Sequence, residues 1–144
     1  MYPHLTGTPQ SEAEWFQALT ELARYLRSPK GCPWDREQRA QDFARYALEE
    51  CQELVEGFEQ GKNDQIAEEW GDVFFVLLAT AIAGEQEGRF TLRDALESAH
   101  AKMIRRHEHV FGAQKATTPE EAIARWNTVK AKERGEDFPT DAGK

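Results

Sequence analysis

The chain has 144 residues, of which 26 are Asp or Glu and 18 are Lys or Arg, so its formal charge at pH 7 is −8. This length predicts one domain over residues 1–144, with a core at about 12–134 and a polar tail at 135–144 that frays. The acidic balance argues against a protein that binds nucleic acid through its phosphates, because such binding needs an excess of Lys and Arg. A polyanionic ligand would need a cation between itself and this protein.

The N-terminal sequence and the cysteines bear on the cellular compartment. The first residues lack the basic start and apolar run of a signal peptide. The longest apolar run, residues 73–83, is shorter than the roughly 20 residues that span a bilayer. Cys32 and Cys51 form neither a CxxC pair nor a zinc-type spacing with histidine. We therefore expect a cytoplasmic protein with no membrane span, no disulfide and no structural zinc.

Glycine and proline divide the sequence into five segments with helical periodicity, and no segment shows the alternation of a strand. Ser11 and Thr118 are predicted to cap the first and last helices, Asn63 or Asp64 the third, and Thr91 the fourth. We expect an all-α, antiparallel bundle of about five helices. Their predicted bounds are residues 12–27, 38–60, 63–83, 91–107 and 118–134.

The third predicted helix is apolar around most of its circumference from Val73 onward. A helix of this kind is covered on all sides in a folded protein. We therefore expect a second copy of the chain to complete the bundle, as a homodimer or a higher homo-oligomer. The alternative is complete coverage by the other helices of the same chain.

Acidic residues intrude on the apolar faces of the second and third predicted helices. At about 100° per residue, Glu50 projects into the apolar arc that contains Phe43, and Glu53 lies at its edge. On the third helix, Glu69 and Asp72 lie to either side of Val76. Each pair has i, i+3 spacing, so two carboxylates from neighbouring turns share one face.

Four carboxylates that face a bundle interior repel one another and lose hydration unless something neutralises them. Oxygen ligands with room for water and phosphate suit Mg²⁺, and Mn²⁺ can take its place. The alternative is that these acids pair with Lys or Arg of adjacent helices, or form a solvated face. Two pairs in one pattern favour the metal site.

Basic residues mark the fourth predicted helix. Lys102 and Arg106 are i, i+4 neighbours in line with Ala95 and Ala99, whose small side chains leave space for phosphate oxygens. The alternative is a helix C-terminus whose basic residues complement the helix dipole. The histidines at 107 and 109 are i, i+2 and do not face each other on a helix, so we expect no metal site there.

Four motifs follow one another along the chain: Gly31-Cys32-Pro33-Trp34-Asp35-Arg36-Glu37-Gln38, Leu48-Glu49-Glu50-Cys51-Gln52-Glu53, Glu68-Glu69-Trp70-Gly71-Asp72 and the segment Lys102 to Gly112. In order and spacing they resemble those of the MazG nucleotide pyrophosphohydrolases. The resemblance covers residues 12–134 and includes a closing segment from Trp126 to Lys130.

The resemblance implies an all-α enzyme that hydrolyses nucleoside triphosphates to monophosphate and pyrophosphate with Mg²⁺. Such an enzyme would have a housekeeping role in the nucleotide pool. Its metal ligands correspond to Glu50, Glu53, Glu69 and Asp72. Its substrate-binding residues correspond to Lys102, Arg105, Arg106 and the loop residue Trp34.

Roles within such a site follow from charge. Glu49, adjacent to the ligand set but outside it, is the candidate general base. Lys102 and Arg106 would stabilise the charge on the pyrophosphate leaving group. Trp34 either stacks on the nucleobase or anchors its loop in the core. These residues do not distinguish water attack on the α phosphorus from attack on the β phosphorus.

Two departures from the family pattern concern specificity. Glu108 stands where proline is usual, and Trp70 stands where leucine is usual. Trp70 puts the nucleotide preference in question more than the activity. The alternatives are a narrower dUTPase-like or dCTPase-like pyrophosphatase of the same superfamily, and a non-catalytic helical dimer that binds a partner.

Overall fold

A computed structural model describes residues 8–135, and these contain only helices, turns and loops. The all-α prediction is confirmed. The N-terminal segment considered for a signal peptide and the polar tail beyond Gly135 lie outside the described residues. The helices are α1 (Glu12–Leu26), α2 (Pro33–Glu37), α3 (Ala40–Gln60), α4 (Asn63–Gln86), α5 (Leu92–Arg106), α6 (Glu108–Phe111) and α7 (Pro119–Glu133).

Local hydrogen bonds explain where the long helices begin. The Ser11 hydroxyl accepts the N–H of Glu14 at 3.1 Å, and the Thr118 hydroxyl accepts the N–H of Glu121 at 3.2 Å, so both of these predicted caps are present. The predicted start of α4 at residue 63 is confirmed, but its predicted cap, Asn63 or Asp64, was wrong. This helix begins at Asn63 after Lys62, and no side chain caps it.

The short helices α2 and α6 add to the five that were predicted. Each has five residues or fewer, which is too short for a hydrophobic period to register. Pro33 is the first residue of α2. The N–H at this position has no partner within a helix, so the missing N–H of proline costs no hydrogen bond. The α6 turn follows a break at His107, whose φ of −104° and ψ of 41° end α5.

The described chain divides into two compact units, the first ending at Leu92 and the second beginning at Arg93. Its assignment to one domain over residues 1–144 stays a prediction. In the first unit α3 and α4 form a helical hairpin, and Gly61 makes the turn with a φ of 68° that glycine adopts without strain. Their shared core comprises Ala40, Phe43, Ala79 and Ala83, with Val76 packed against it.

Helix α1 packs against α4 in the same unit. The rings of Phe16 and Phe74 lie 5.8 Å apart, and Arg24 donates to Glu85 at 2.7 Å. Glu85 also accepts the N–H of Leu92, which fixes the end of this unit. The second unit contains most of α5 with α6 and α7, and its buried residues include Val129 and Ala131.

Apolar side chains remain exposed on both long helices of the first unit. Helix α3 buries Phe43 and Ala47, whereas Val55 and Phe58 of the same helix are exposed. On α4, Trp70 is 57% and Leu77 is 51% exposed. Residues 8–135 therefore leave part of α4 exposed. Among the described residues, no helix combines the length and apolarity needed to cross a membrane.

Candidate functional site

Helices α3 and α4 bring acidic residues together because their hairpin turn sets them side by side. Glu50 from α3 and Glu69 and Asp72 from α4 each present one carboxylate oxygen, and these three oxygens all lie within 4.8 Å of one another. Glu50 and Glu69 are half-buried, and Asp72 is exposed. The structure therefore brings together three of the four residues predicted as metal ligands.

Two buried oxygens in this cluster lack partners. Oε2 of Glu50 and Oε2 of Glu69 are buried and accept no hydrogen bond from residues 8–135. Burial, and then the neighbouring negative charge of Glu53, raise the pKa of both Glu50 and Glu69. Asp72 raises both pKa values further. Buried carboxylate oxygens without donors indicate a place for a cation.

The alternative of neutralisation by basic side chains finds no support within residues 8–92. No ion pair in that range joins Lys or Arg to the predicted acidic residues; the nearest pair on α4 is Arg24 with Glu85, beyond the cluster. The donors are all carboxylate oxygens. Such a set fits a hard cation such as Mg²⁺ or Mn²⁺.

Glu53 and Glu49 flank the three clustered carboxylates. Glu53 is exposed and lies outside the group that meets at 4.8 Å, although its charge acts on both Glu50 and Glu69. Together with Glu69 it lines an open cleft of about 310 Å³ between α3 and α4. Glu49 is exposed, and its charge contributes to the raised pKa of Glu50. Both predicted residues thus adjoin the cluster.

Trp34, which was expected in a loop, lies on the short helix α2, which precedes α3. Its ring is 6.1 Å from that of Phe43 and 5.6 Å from that of Tyr46, and the residue is 50% exposed. Arg27 holds the α2 loop by donating to the backbone carbonyls of Asp35 and Gln38. One face of Trp34 is therefore packed while part of the indole remains accessible.

The predicted basic residues lie in the second unit, at the end of α5. Lys102 is half-buried. The side chains of Arg105 and Arg106 are 51% and 17% exposed, and both guanidinium groups bind the carboxylate of Glu133 on α7. Arg106 and then Arg105 hold the pKa of Glu133 down to about 2 through these hydrogen bonds. Sequence analysis missed Glu133 because its partners lie 27 and 28 residues away.

The two histidines after α5 are closer than the helical prediction implied. Because α5 ends before His107, the rings of His107 and His109 lie 5.4 Å apart rather than on different faces of a helix. Nδ1 of His109 is buried without a hydrogen-bond partner among residues 8–135. A cavity of about 400 Å³ adjoins them, lined also by Ala122, Ile123, Trp126 and Asn127. Periodicity alone could not predict this break.

The sequence pattern of the MazG nucleotide pyrophosphohydrolase domain matches residues 38–111. The chain belongs to the MazG nucleotide pyrophosphohydrolase family. The matched range contains the α3 and α4 carboxylates as well as Lys102, Arg105 and Arg106, whereas Trp34 and Glu133 lie outside it.

Relatives that align with most of the chain include two named nucleoside triphosphate pyrophosphohydrolases. The chain is 38% identical over 120 residues to the nucleoside triphosphate pyrophosphohydrolase/pyrophosphatase MazG of Thermotoga maritima, covering 83% of this chain and 46% of that protein. It is 36% identical over 119 residues to the nucleoside triphosphate pyrophosphohydrolase of Escherichia coli K12, covering 82% and 45%. It is 40% identical over 119 residues to the uncharacterized protein YabN of Bacillus subtilis, covering 83% and 24%. The chain thus spans less than half the length of these relatives.

The fold has a match among solved structures. The crystal structure of a mazG-related protein from Thermotoga maritima superposes with a TM-score of 0.67 at 24% identity, covering 79% of this chain and 97% of that one. At this identity the match establishes the fold alone.

Proposed function

We propose that this chain hydrolyses nucleoside triphosphates to nucleoside monophosphate and pyrophosphate. The observation that carries the proposal is the meeting of Glu50, Glu69 and Asp72 oxygens within 4.8 Å, two of these residues with a buried oxygen that has no partner in residues 8–135. Relatives named nucleoside triphosphate pyrophosphohydrolase align with 82–83% of the chain. An acidic site in a protein of charge −8 handles a triphosphate only with a cation.

The proposed cofactor is Mg²⁺, with Mn²⁺ as a substitute, held by Glu50, Glu53, Glu69 and Asp72. The partnerless buried oxygens and the all-carboxylate donor set fit such an ion. When bound, Mg²⁺ offsets the charge of the triphosphate and acts as a Lewis acid on its oxygens.

The side chains then divide the work of the hydrolysis. Glu49 accepts the proton of the attacking water, whose oxygen forms a bond to phosphorus as the bond to the leaving group breaks. Lys102, Arg105 and Arg106 bind phosphate oxygens and stabilise the negative charge on the departing pyrophosphate. Trp34 offers its accessible indole face to the nucleobase.

The proposed assembly is a homodimer or a higher homo-oligomer. The proposed location is the cytoplasm, where the enzyme would have a housekeeping role in the nucleotide pool. The support is the exposed apolar surface of the long hairpin, which a second copy would cover. That surface comprises Leu48, Val55 and Phe58 on α3 and Trp70 and Leu77 on α4.

The deciding experiment incubates the protein with each ribonucleoside and deoxyribonucleoside triphosphate and Mg²⁺, and identifies the phosphate product. We expect pyrophosphate together with monophosphate, with Mn²⁺ active and Ca²⁺ poorly active because its longer, looser coordination misplaces the phosphate. Full activity in excess EDTA, or release of orthophosphate alone, would contradict the proposal. Rates compared across the panel separate a broad enzyme from a dUTPase-like or dCTPase-like one.

A further inference from the structure

A single carboxylate in the second unit holds two arginines. Oε1 of Glu133 accepts from Nε of Arg106 at 3.1 Å and from Nη2 of Arg106 at 2.8 Å. Oε2 of Glu133 accepts from Nε of Arg105 at 2.5 Å. Glu133 therefore binds the inner edge of the Arg106 guanidinium and leaves Nη1 without a hydrogen-bond partner among residues 8–135.

Arg106 is restrained on a second side by an aromatic ring. Its guanidinium carbon lies 5.3 Å from the ring centroid of Trp126, within the range of a cation–π contact. The Arg106 side chain is only 17% exposed, against 51% for Arg105. Glu133 and Trp126, both on α7, thus restrain Arg106 on two sides, whereas the more exposed Arg105 is held by Glu133 through its Nε.

The formal charges of this cluster sum to a positive value. One carboxylate balances one of the two guanidinium groups, and Lys102, one turn before Arg106, adds a further positive charge. Because its pKa is held to about 2, Glu133 is ionised throughout the physiological range. The cluster keeps a net positive charge while its most buried member is held in place.

We propose that Glu133 is a positioning residue, which presents Nη1 of Arg106 to a phosphate group of the triphosphate substrate or of the pyrophosphate product. An arginine whose Nε edge is already bound loses little conformational entropy when its outer edge binds a ligand. Glu133 acts through Arg106 and does not itself touch the phosphate. This inference rests on the proposed function for its substrate.

The test is a double-mutant cycle on Glu133→Gln and Arg106→Lys, with Glu120→Gln as the control on an exposed acid of the same helix. For each variant in Mg²⁺ we would measure kcat and KM for a nucleoside triphosphate, the Kd for inorganic pyrophosphate by calorimetry, and the thermal midpoint. The conservative Glu133→Asp variant keeps the charge and shortens its reach.

We expect Glu133→Gln to raise KM and the pyrophosphate Kd about five- to tenfold, and to change neither by more than about twofold when Arg106 is already Lys. Glu133→Asp should recover part of the loss, and Glu120→Gln should match the wild type. Equal effects of Glu133→Gln in both backgrounds, or a lower thermal midpoint with unchanged KM and Kd, would overturn the inference.

The two proposals can fail separately. If the wild type hydrolyses no nucleoside triphosphate, the proposed function is wrong, and the pyrophosphate arm still decides the role of Glu133. A wild type that turns over substrate but gives additive effects on pyrophosphate binding rejects the positioning role alone.

Discussion

Glu50 and Glu69 lie on different helices, yet one carboxylate oxygen of each lies within 4.8 Å of the other, and each residue has a buried oxygen without a hydrogen-bond partner in residues 8–135. Burial, and then the negative charges of Glu53 and Asp72, raise the pKa of both groups, so the metal-free arrangement is unfavourable for their charged forms. Groups with unfavourable charges of this kind are concentrated at functional sites, where a bound cation would neutralise the carboxylates. The proposed metal site follows from this relationship more directly than from any single acidic residue.

We expect Glu69→Gln to lower turnover by about a hundredfold or more, because even the partners of metal ligands contribute 10- to 100-fold. The metal-free fold should be as stable as the wild type or more so, since a repelled carboxylate is removed without loss of volume. The measurement is turnover together with thermal melts in EDTA and in Mg²⁺. The wild type should gain stability from Mg²⁺ and the variant much less.

The matched control for Glu69→Gln is Glu68→Gln, an exposed acid one residue earlier on α4. It should leave both turnover and the Mg²⁺-induced shift close to those of the wild type. An equal Mg²⁺ shift in Glu69→Gln and wild type, with catalysis retained, would remove Glu69 from the site. A strong loss of stability of Glu69→Gln in EDTA would instead indicate that Glu69 forms an ion pair with a basic side chain.

The sequence predicted the α3 and α4 carboxylates because i, i+3 spacing on an apolar face is a local property, read within one helix. Glu50 and Asp72 needed only a short hairpin to meet, and Gly61 marks it. The pairing of Arg106 with Glu133 is not local. It depends on how α7 packs beside α5, and no periodicity in either helix predicts that.

Some helix bounds likewise have a local signal in the sequence, and others do not. Ser11 and Thr118 mark the starts of α1 and α7, because their side chains cap these helices through hydrogen bonds to a backbone N–H three residues later. The break at His107 has no such signal, because Lys and Arg in the preceding turn suit both a continuing helix and a helix end. The proximity of His107 and His109 therefore had to come from the structure.

The pH dependence of stability should reveal the Glu133 contact. Its pKa of about 2 in the folded state lies below the ordinary value of 4.5, so the contact contributes fully above pH 4.5 and is lost as pH falls toward 2. Glu133→Gln should be less stable than wild type at pH 6, and the gap should narrow steadily below pH 4.5. Urea unfolding from pH 6 to pH 3 measures this, and Glu120→Gln is the control. A constant gap over that range would contradict the assigned contact.

Trp34→Leu tests the accessible indole face. Stacking of a base on an aromatic ring is worth about 1–3 kcal/mol, so KM for nucleoside triphosphates should rise about fivefold or more. The Kd for inorganic pyrophosphate, which has no base, should stay unchanged. Trp34→Phe keeps a ring beside Phe43 and Tyr46 and should retain most of the affinity. If both variants lower the thermal midpoint with KM unchanged, Trp34 only anchors its loop.

Leu77→Glu tests whether a second copy covers the long hairpin. Leu77 is 51% exposed on α4, among apolar side chains that residues 8–135 leave uncovered. A buried charge at such an interface lacks a partner, so self-association should weaken about tenfold or more. Light scattering and sedimentation at micromolar concentration measure the effect. Leu96→Glu on α5 is the control, because that leucine is 49% exposed and lies outside the hairpin. A wild type that is monomeric under these conditions would show that the exposed face of α4 is not an interface between copies of the chain.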